Sequence, residues 1–394
     1  MNKSVTPRGV EHPPIRVNRR RFLGCSAAAG LAVAQGNLAE AAGEHAPVRV
    51  GAIGIGNRGT ALLRGVLEIP GASVVAVSDP EPRHRARGQG IVEKASGRRP
   101  EAFEDPRRLL ERKDIDAVVV AVPCDLHERL YLDAIAAGKH LYAEKPAGMT
   151  VGECDRLIAA SASAPGLAVH VGFQRRSNPR YREAVERIKR GDLGPLVEAR
   201  AAWNSSNGPL TGQGGWLGRR ERSGDWMVEQ AVHVWDVLHW IKGDLPRSAV
   251  GWGRRGLFAR VDALRDVTDH YAVELEWADG FRASFAQSWI APADDGFTGT
   301  TFRVLGEEGG LDFSTGGLTL RDRSTPRQTI QGGPQPDTRL ALEAFLVAAG
   351  SESPSTPPVS LADARAATLI GLLARKAVDE RRAVSIDEVA TLDA

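Results

Sequence analysis

The strongest constraint on the fold is a glycine-rich turn set between an apolar strand and a helix. Residues 48–53 are typical of a short buried strand, residues 54–59 follow in a Gly-x-Gly-x-x-Gly pattern, and residues 60–67 have helical character. In this setting the glycines permit a tight turn, a close approach of the backbone to a pyrophosphate, and close packing of helix on strand. Free N–H groups at the start of the helix then bind the phosphates. The pattern predicts cofactor-binding residues at Gly54, Gly56, Asn57, Arg58 and Gly59.

An acidic residue at the end of the second predicted strand bears on which dinucleotide binds. Asp79 follows residues 73–78 and lies twenty residues beyond Gly59. A carboxylate at that place accepts hydrogen bonds from the adenosine ribose and repels a 2′-phosphate, which favours NAD over NADP. Arg83 and Arg85 lie close by and soften that preference, so NADP stays possible. Asp79 can also be interpreted as a plain turn residue.

Strands and helices continue to alternate over the first half of the chain. Residues 116–122 form a β-branched run typical of a parallel strand that is buried on both faces. Residues 127–137 then read as a helix that ends at Gly138, and residues 140–143 as another strand. Such alternation indicates a doubly wound parallel sheet that binds its ligand at the carboxyl ends of the strands. The first domain is therefore predicted to be an α/β Rossmann domain over residues 47–170.

Successive strands replace this alternation in the second half of the chain. They are predicted at residues 196–203, 269–277, 281–289 and 300–305. Asp279-Gly280 is a hairpin signal, and strands without intervening helices indicate antiparallel pairing. We therefore expect an α+β domain over residues 171–394, built on an open, mainly antiparallel sheet. Residues 332–337 and 351–358 read as loops, and a helix over residues 361–376 is expected at the domain boundary.

A lysine and a histidine are the candidate catalytic residues. Lys145 follows a buried strand at the carboxyl edge of the sheet, where an ammonium group can hydrogen-bond a substrate hydroxyl and stabilise negative charge on its oxygen. Glu229 and His233 are four residues apart. On a continuous helix they share one face, so the carboxylate can orient the imidazole and raise its pKa. From these residues alone, a lysine extending from a strand end and a helical ion pair beside a core histidine remain open interpretations.

Four segments are similar to those of a known enzyme family. Residues 138–146 end in Glu-Lys-Pro, residues 172–179 read Gly-Phe-Gln-Arg-Arg-Ser-Asn-Pro, and residues 227–236 carry the candidate glutamate and histidine. A Pro-x-x-x-His pattern stands at residues 123–127. Together they resemble the glucose–fructose oxidoreductase, inositol dehydrogenase and rhizopine-catabolism (Gfo/Idh/MocA) family, over nearly the whole chain beyond its first 42 residues.

The resemblance implies roles for individual residues. It implies that Lys145 and His233 are catalytic, with His233 as the general base, and the family usually carries Asp where Glu229 stands. The cofactor-binding residues that it implies in this region are Pro123, His127 and Glu144. It also implies a homo-oligomer that forms through one face of the open sheet.

Five residues of the second domain are candidates for the substrate pocket. They are Gln174, Arg176, Trp203, Trp216 and Asp236. Arginine and tryptophan suit a hydroxylated ring because the first hydrogen-bonds its hydroxyl groups and the second stacks on its C–H faces. For the two tryptophans, packing in the core is an equally good interpretation.

Taken with the resemblance, these residues indicate hydride transfer between a tightly bound nicotinamide cofactor and a sugar, inositol or related polyol. Two alternatives stay open. A redox-neutral NAD-dependent glycosidase oxidises and re-reduces a ring carbon, and a non-catalytic sugar sensor uses the same scaffold for binding alone. Such hydrolases tend to lack the lysine of the Glu-Lys-Pro segment, and sensors are expected to lose the lysine or the histidine. Lys145 and His233 therefore favour the oxidoreductase.

The first 42 residues are predicted to be an export signal. Arginines at 19–21, followed by Phe22 and Leu23, precede a stretch of small apolar residues over positions 25–34, and residues 39–41 resemble a cleavage site. The arginines followed by Phe-Leu resemble the twin-arginine signal. Since the twin-arginine export machinery carries folded proteins, we expect a periplasmic protein that takes up its cofactor before export. A disordered basic tail is the alternative interpretation.

Composition and spacing exclude several classes of function. Without the six basic and two acidic residues of positions 1–42, the chain holds 45 basic and 47 acidic residues, so no nucleic-acid surface is expected. No other stretch approaches the ~20 apolar residues of a membrane span, so none is expected in the mature form. Cys124 and Cys154 fit no zinc motif and read as buried apolar residues, and no metal site is expected. The arginine-rich run at residues 219–222 is interpreted as a solvated loop.

Overall fold

The structure, a computed structural model of the chain, describes residues 46–210, 213–332, 337–351 and 358–390. The predicted export signal at residues 1–42 lies outside these ranges, as do the central parts of the two loops predicted at 332–337 and 351–358. Among the helices of the described ranges, none combines the length and the apolar character that a membrane crossing requires.

The first domain is built on a parallel sheet, as predicted. Its strands are β1 (Val48–Ile53), β2 (Ala72–Ser78), β3 (Glu101–Phe103), β4 (Ala117–Val120), β5 (His140–Ala143) and β6 (Val169–Val171). In the described part of the chain their order is β3-β2-β1-β4-β5-β6. The order reverses between β1 and β4, and in doubly wound sheets the crevice at that point, outside the carboxyl ends of the strands, binds the ligand.

Helices cover both faces of this sheet because the strand residues alternate between two apolar cores. The helices are α1 (Asn57–Leu67), α2 (Pro82–Ser96), α3 (Pro106–Leu110), α4 (His127–Ala136) and α5 (Val151–Ala162). Val50 and Ala52 belong to the core beneath α1 and α2, whereas Ile53 belongs to the core shared with α3 and α4. Helix α4 is followed by Gly138 with a φ of 70°, which confirms the predicted glycine cap.

The second domain is an α+β domain on an open sheet, and the sheet is mainly antiparallel as predicted. Its strands are β7 (Leu196–Asn204), β8 (Ser248–Arg255), β9 (Thr268–Glu276), β10 (Arg282–Ser288), β11 (Gly299–Gly306), β12 (Gly309–Asp312), β13 (Gly317–Leu320), β14 (Gln328–Thr329) and β15 (Val384–Ser385). Their order is β14-β13-β12-β11-β7-β10-β9-β8-β15 in the described ranges. The central pair β7 and β10 runs parallel. Gly280, with a φ of 86°, forms the predicted hairpin turn between β9 and β10.

Several helices of this domain face the first domain or the sheet. They are α6 (Pro179–Lys189), α7 (Arg220–Ser223), α8 (Trp226–Glu229), α9 (Val232–Lys242), α10 (Asp337–Ala349), α11 (Leu361–Glu380) and α12 (Asp387–Ala390). Short 3-10 turns also occur at Cys124–Leu126, Gln174–Ser177 and Gln213–Gly218.

Helix α11 lies at the boundary of the two domains, where the helix over 361–376 was predicted. Ser360 and Asp363 form a capping box at its start. Thr368 donates a hydrogen bond to the carbonyl of Gly148 in the first domain. A methyl group at Gly371 would lie 2.5 Å from the backbone oxygen of Met227, so this glycine allows α11 to pack directly against α8.

Helix α10 corrects the predicted domain boundary. The sequence placed residues 171–394 in the second domain, yet α10 packs against the first domain. Leu342 fills the space beside Gly65 of α1, and the Phe345 ring meets Tyr142 of β5 at 5.7 Å between centroids. The apolar face of α10 completes the core that β1, β2 and β4 leave open on this side. A boundary drawn along the sequence therefore misses a helix that returns to the first domain.

His170, on β6, is a buried histidine whose ring nitrogens have no hydrogen-bond partner within the described ranges. It stacks on Tyr142 at 5.2 Å and lies against Phe345. Burial lowers its pKa to about 4. The folded state therefore binds fewer protons than the unfolded state below pH 6.5. Because of this histidine, the free energy of unfolding of the protein decreases as the pH falls from about 6.5 to 4.

Replacing His170 by phenylalanine should stabilise the protein most at acidic pH. The variant keeps the aromatic packing and removes two unsatisfied ring nitrogens and the protonation site, so about 3 kcal/mol of destabilisation between pH 7 and pH 4 should disappear. Thermal unfolding of both proteins at pH 7 and pH 4.5 measures the difference. Equal losses of stability in the two proteins on acidification would contradict this account of His170.

Candidate active site

A cavity of about 740 Å³ opens at the carboxyl ends of the parallel strands, between the two domains. The predicted site residues that line it are Gly54, Gly56, Asn57, Arg58, Asp79, Pro123, His127, Glu144, Lys145, Gln174, Trp216, Glu229 and His233. The cavity therefore joins the glycine-rich turn of the first domain to the lysine and the histidine that the sequence singled out.

The glycine-rich turn fits a dinucleotide because its backbone leaves no room for side chains. Gly54 has a φ of 82°, and a Cβ there would lie 2.2 Å from the carbonyl oxygen of Ala121. A Cβ at Gly59 would lie 1.8 Å from the carbonyl oxygen of Gly54, so Gly59 acts in packing although it does not line the cavity. No side chain caps the start of α1 at Gly56. The free N–H groups at the start of α1 can therefore bind a phosphate group.

Asp79 ties the end of β2 to this turn. Its Oδ2 accepts the backbone N–H of Ile55 at 2.7 Å, and its Oδ1 accepts that of Glu81 at 2.9 Å. The Nδ1 atom of His84 lies 3.2 Å from Oδ1. The carboxylate thus orders the turn and faces the cavity, and its contact with the cofactor ribose stays a prediction.

His127 and Glu144 hold the strand ends that carry Lys145. The two ring nitrogens of His127 lie 2.6 Å and 3.0 Å from the backbone oxygens of Pro146 and Val122. Burial lowers the pKa of this histidine. Glu144 accepts a hydrogen bond from Nε of Arg58 at 2.7 Å. Both residues therefore fix the cavity wall beside the turn.

Glu229 pairs with Lys145, which corrects the expected pairing with His233. The Nζ atom of Lys145 donates to the Glu229 carboxylate at 2.5 Å and to the Glu229 backbone oxygen at 2.6 Å. The expected continuous helix does not form, because α8 ends at Glu229 and α9 begins at Val232. This break turns the carboxylate away from the imidazole and towards the lysine.

The Glu229 carboxylate keeps the largely buried Lys145 charged. Burial on its own lowers the pKa of the ammonium group, but the negative charges of Glu229 and Glu144 outweigh it and the pKa is raised. Cys124, which also lines the cavity, has its pKa raised well above the usual value by burial. The thiol therefore stays protonated, whereas the lysine stays a cation.

His233 is held as a neutral imidazole. Burial lowers its pKa well below the usual value, and the positive charges of Lys145, Arg175 and Arg58 lower it further. The prediction that a carboxylate raises this pKa is therefore wrong, since the nearest charges are cations. Its Nδ1 is buried without a hydrogen-bond partner in the described chain. Nε2 is therefore the ring nitrogen left open to the cavity.

The five substrate-pocket candidates divide into two groups. Gln174 and Trp216 line the cavity, and Oε1 of Gln174 is a buried acceptor without a partner in the described residues. Trp203 lies outside the lining, where its ring stands 6.2 Å from the His233 ring and 5.2 Å beneath the guanidinium of Arg175. Trp203 therefore packs against the His233 ring from outside the cavity.

Arg176 and Asp236 do not reach the cavity, which corrects their predicted place in the pocket. Arg176 pairs with Asp236 at 2.8 Å and with Asp363 at 3.1 Å, and Asp236 is 0% exposed. Gln174 and Arg176 are two residues apart on a 3-10 turn, so their side chains point in different directions. This ion pair network joins α9 to α11 instead.

The arginine run at residues 219–222 is also not the solvated loop that was expected. Arg219 pairs with Asp262 at 2.9 Å, Arg220 pairs with buried Asp225, and Arg222 lines the cavity. Sequence reasoning missed Arg222 because a run of exposed charges usually has no partners. In the described part of the chain, no group of three His, Cys, Asp or Glu side chains is arranged to hold a metal ion.

Each of the two domains matches a known family. Residues 48–173 match a family described as the oxidoreductase family with an NAD-binding Rossmann fold. Residues 181–312 match the GFO/IDH/MocA C-terminal domain. The first match covers the whole parallel sheet, and the second covers strands β7 to β12 of the antiparallel sheet.

Individual relatives are inositol dehydrogenases. Inositol 2-dehydrogenase 4 of Saccharopolyspora erythraea is 32% identical over 236 residues, which are 59% of this chain and 64% of that protein. Myo-inositol 2-dehydrogenase of Thermotoga maritima is 26% identical over 354 residues, which are 87% of this chain and 99% of that protein. The fold also matches scyllo-inositol dehydrogenase of Lactobacillus casei with bound NAD(H) and scyllo-inositol, at a TM-score of 0.69 and 20% identity, over 86% of this chain and 99% of that one.

Proposed function

This chain belongs to the GFO/IDH/MocA family of NAD-binding oxidoreductases, and we propose that it transfers hydride between NAD and a ring carbon of an inositol, a related polyol or a sugar. The observation that supports the proposal most is that a charged lysine and a neutral histidine both line the cavity, where the charge of the lysine helps to lower the pKa of the histidine. Alcohol oxidation needs both, because the hydroxyl oxygen gains negative charge while its proton leaves.

Each side chain has a distinct task in this proposal. Lys145 donates a hydrogen bond to the oxygen of the reacting hydroxyl and stabilises the charge that develops there. His233 accepts the hydroxyl proton at Nε2 as the tautomer protonated on Nδ1, since its low pKa keeps the imidazole neutral at neutral pH. Glu229 keeps the ammonium group charged and in place. NAD, when bound, supplies the acceptor for the hydride.

A substrate screen tests this function. The purified protein is mixed with NAD and, in turn, with inositols, aldoses, other polyols and glycosides, while the absorbance of reduced nicotinamide is followed. We expect a rise with at least one cyclic polyol or sugar. No lasting rise with any of them, together with release of an aglycone from a glycoside, would instead indicate a redox-neutral glycosidase.

The pH dependence of turnover should report the charges around His233. Because burial and nearby cations lower its pKa, the acid limb of kcat/KM should have its midpoint below pH 6.5. Arg175→Gln removes one of these cations and should move the midpoint to higher pH, whereas Arg175→Lys should leave it nearly unchanged. Profiles of kcat/KM from pH 4.5 to 8 measure the shift. Identical midpoints in all three proteins would contradict this role of Arg175.

Export with a tightly bound cofactor is part of the same proposal. The arginines at 19–21 and the small-residue stretch that follows support a twin-arginine route to the periplasm. Free dinucleotide is scarce there, so the protein would keep the NAD that it binds before export. Fractionation of cells, followed by extraction of nucleotide from the periplasmic protein, tests both statements.

The outward face of the second sheet supports a homo-oligomer. Trp252 on β8 is 60% exposed, and it stands beside Ala272 on β9 and Ala286 on β10 in one row of the sheet. Leu305 on β11 is 45% exposed on the same sheet. A second copy would cover these apolar side chains. Light scattering of the purified protein measures the number of subunits.

A further inference from the structure

Three side chains of the second sheet lie in a single row beneath the residues of the active site. Gln287 on β10 pairs with Tyr271 on β9 on one side and with Trp203 on β7 on the other. Residues that pair directly across strands point to the same face of a sheet. The row, here called the support row, therefore presents Tyr271, Gln287 and Trp203 together, on the face turned away from solvent.

Each member of the support row contacts a different point of the segment at residues 225–233. Tyr271 donates a short hydrogen bond from its hydroxyl to the carboxylate of Asp225. The Gln287 amide donates a short hydrogen bond to Oε1 of Gln230. The ring of Trp203 lies 6.2 Å from that of His233. The contacts thus fall at the start, the middle and the end of the segment that carries Glu229 and His233.

This segment needs support from outside because its own structure is weak. Asp225 has a φ of 73°, a left-handed conformation that a residue with a side chain rarely adopts. Helix α8 has four residues, too few to be stable by themselves, and the helical conformation is interrupted at Gln230 before α9 begins. The position of the Glu229 carboxylate therefore depends on what holds Asp225 and Gln230.

The next row along the strands is apolar. One step back along the strands, Ala201, Phe285 and Val273 form the neighbouring row on the same face. They are buried and apolar, and the Phe285 ring packs against Trp235 of α9 at 4.9 Å. Ordinary packing thus anchors α9, whereas hydrogen bonds hold the segment that precedes it.

We propose that Gln287 and Tyr271 are positioning residues that set the distance between Lys145 and His233 by holding Gln230 and Asp225. Gln287 is 0% exposed and does not line the cavity, and its amide donates to Gln230, so it acts through that residue. Glu229 precedes Gln230 directly, and its backbone oxygen and carboxylate both bind Lys145. This inference rests on the proposed function, since it assumes that Lys145 and His233 act together on a hydroxyl.

Gln287→Leu removes the amide and nearly keeps the volume of the side chain. We expect kcat to fall about 10- to 100-fold, because small displacements of catalytic groups have effects of that size. KM and the affinity for NAD should change less than about threefold, since the cofactor turn is untouched. Gln328→Leu on β14 is the matched control: it removes a glutamine that accepts a hydrogen bond from Arg187, far from the segment, and should keep kcat.

A double-mutant cycle separates positioning from general destabilisation. If Gln287 acts through Gln230, then Gln230→Leu should lower kcat to a similar degree, and the double variant should be no slower than either single one. Fully additive losses in the double variant would overturn the proposal. So would a Gln287→Leu protein whose kcat stays within twofold of the unchanged chain.

Hydrogen exchange gives a readout that does not depend on turnover. Amides of residues 226–233 should exchange faster in Gln287→Leu than in the unchanged protein. Amides of β1 and α1 should exchange at the same rate in these two proteins. In Gln328→Leu no amide should exchange faster than in the unchanged protein. Unchanged exchange over 226–233 would overturn the proposal. If the unchanged protein oxidised no polyol or sugar, the proposed function would fail, and the exchange comparison would still decide whether the support row holds the segment.

Discussion

Replacing Lys145 by methionine is expected to lower kcat by about 10²- to 10³-fold while NAD still binds. The ammonium group lines the cavity and is kept charged by its carboxylate partner, Glu229. Methionine fills much of the same space but neither donates a hydrogen bond nor carries charge. The oxygen of the reacting hydroxyl would then develop its negative charge without a partner.

The same change should also destabilise the fold. The side chain of Glu229 is 14% exposed, so the loss of Lys145 leaves a nearly buried carboxylate unpaired, at an expected cost of about 3 kcal/mol or more. Adding Glu229→Gln should restore most of this stability without restoring turnover. Thermal unfolding and steady-state rates of the single and double variants separate the two effects.

Lys139→Met is the matched control for this experiment. Lys139 is also a buried lysine of the first domain, and its Nζ donates to the backbone oxygens of Arg112 and Ile115, away from the cavity. The control should lose stability but keep kcat. Comparable losses of kcat in Lys139→Met and Lys145→Met would contradict a catalytic role for Lys145.

Replacing His233 by alanine should lower kcat about 10²- to 10⁴-fold near neutral pH. Without the imidazole, solvent has to take the hydroxyl proton. The residual rate of the variant should therefore rise steadily with pH, over the same pH range in which the rate of the unchanged protein is constant. Added imidazole should restore part of the rate by entering the vacated space. NAD binding should be retained, because the glycine-rich turn is unaffected.

His170→Phe serves as the control for the histidine. It removes a second buried imidazole whose pKa burial also lowers, but one that lies on β6 against Tyr142 and Phe345, outside the cavity lining. This variant should keep kcat. A His233→Ala protein with normal turnover would show that another group accepts the proton.

The sequence predicted the parts of the fold that follow from local pattern. The order of strand, glycine turn, helix and acidic residue at 48–79 led directly to the first sheet, because each step has its own steric requirement. The hairpin at Asp279-Gly280 was equally clear. Strand β8 was missed, since its glycines at 251 and 253 break the alternation that marks a strand.

The site was predicted as a set of residues but not as a geometry. Lys145, Glu229 and His233 were each predicted and line one cavity, yet the expected pairing of Glu229 with His233 depended on an unbroken helix. The break at Gln230 is held by Gln287, which lies far away in the sequence, so no local pattern could indicate it. Arg176 and Asp236 were misplaced for a similar reason, because their partner Asp363 comes from α11.

We expect hydride to pass between NAD and a ring carbon of a polyol or sugar in the cavity that Lys145 and His233 line. The most direct test uses the substrate found in the screen, with deuterium on the reacting carbon, and mass spectrometry of the nicotinamide cofactor after one turnover. The account predicts one deuterium in the reduced cofactor, and none when Lys145→Met replaces the unchanged protein on the same timescale. Deuterium that appears only in the solvent, or that stays on the substrate throughout, would contradict it.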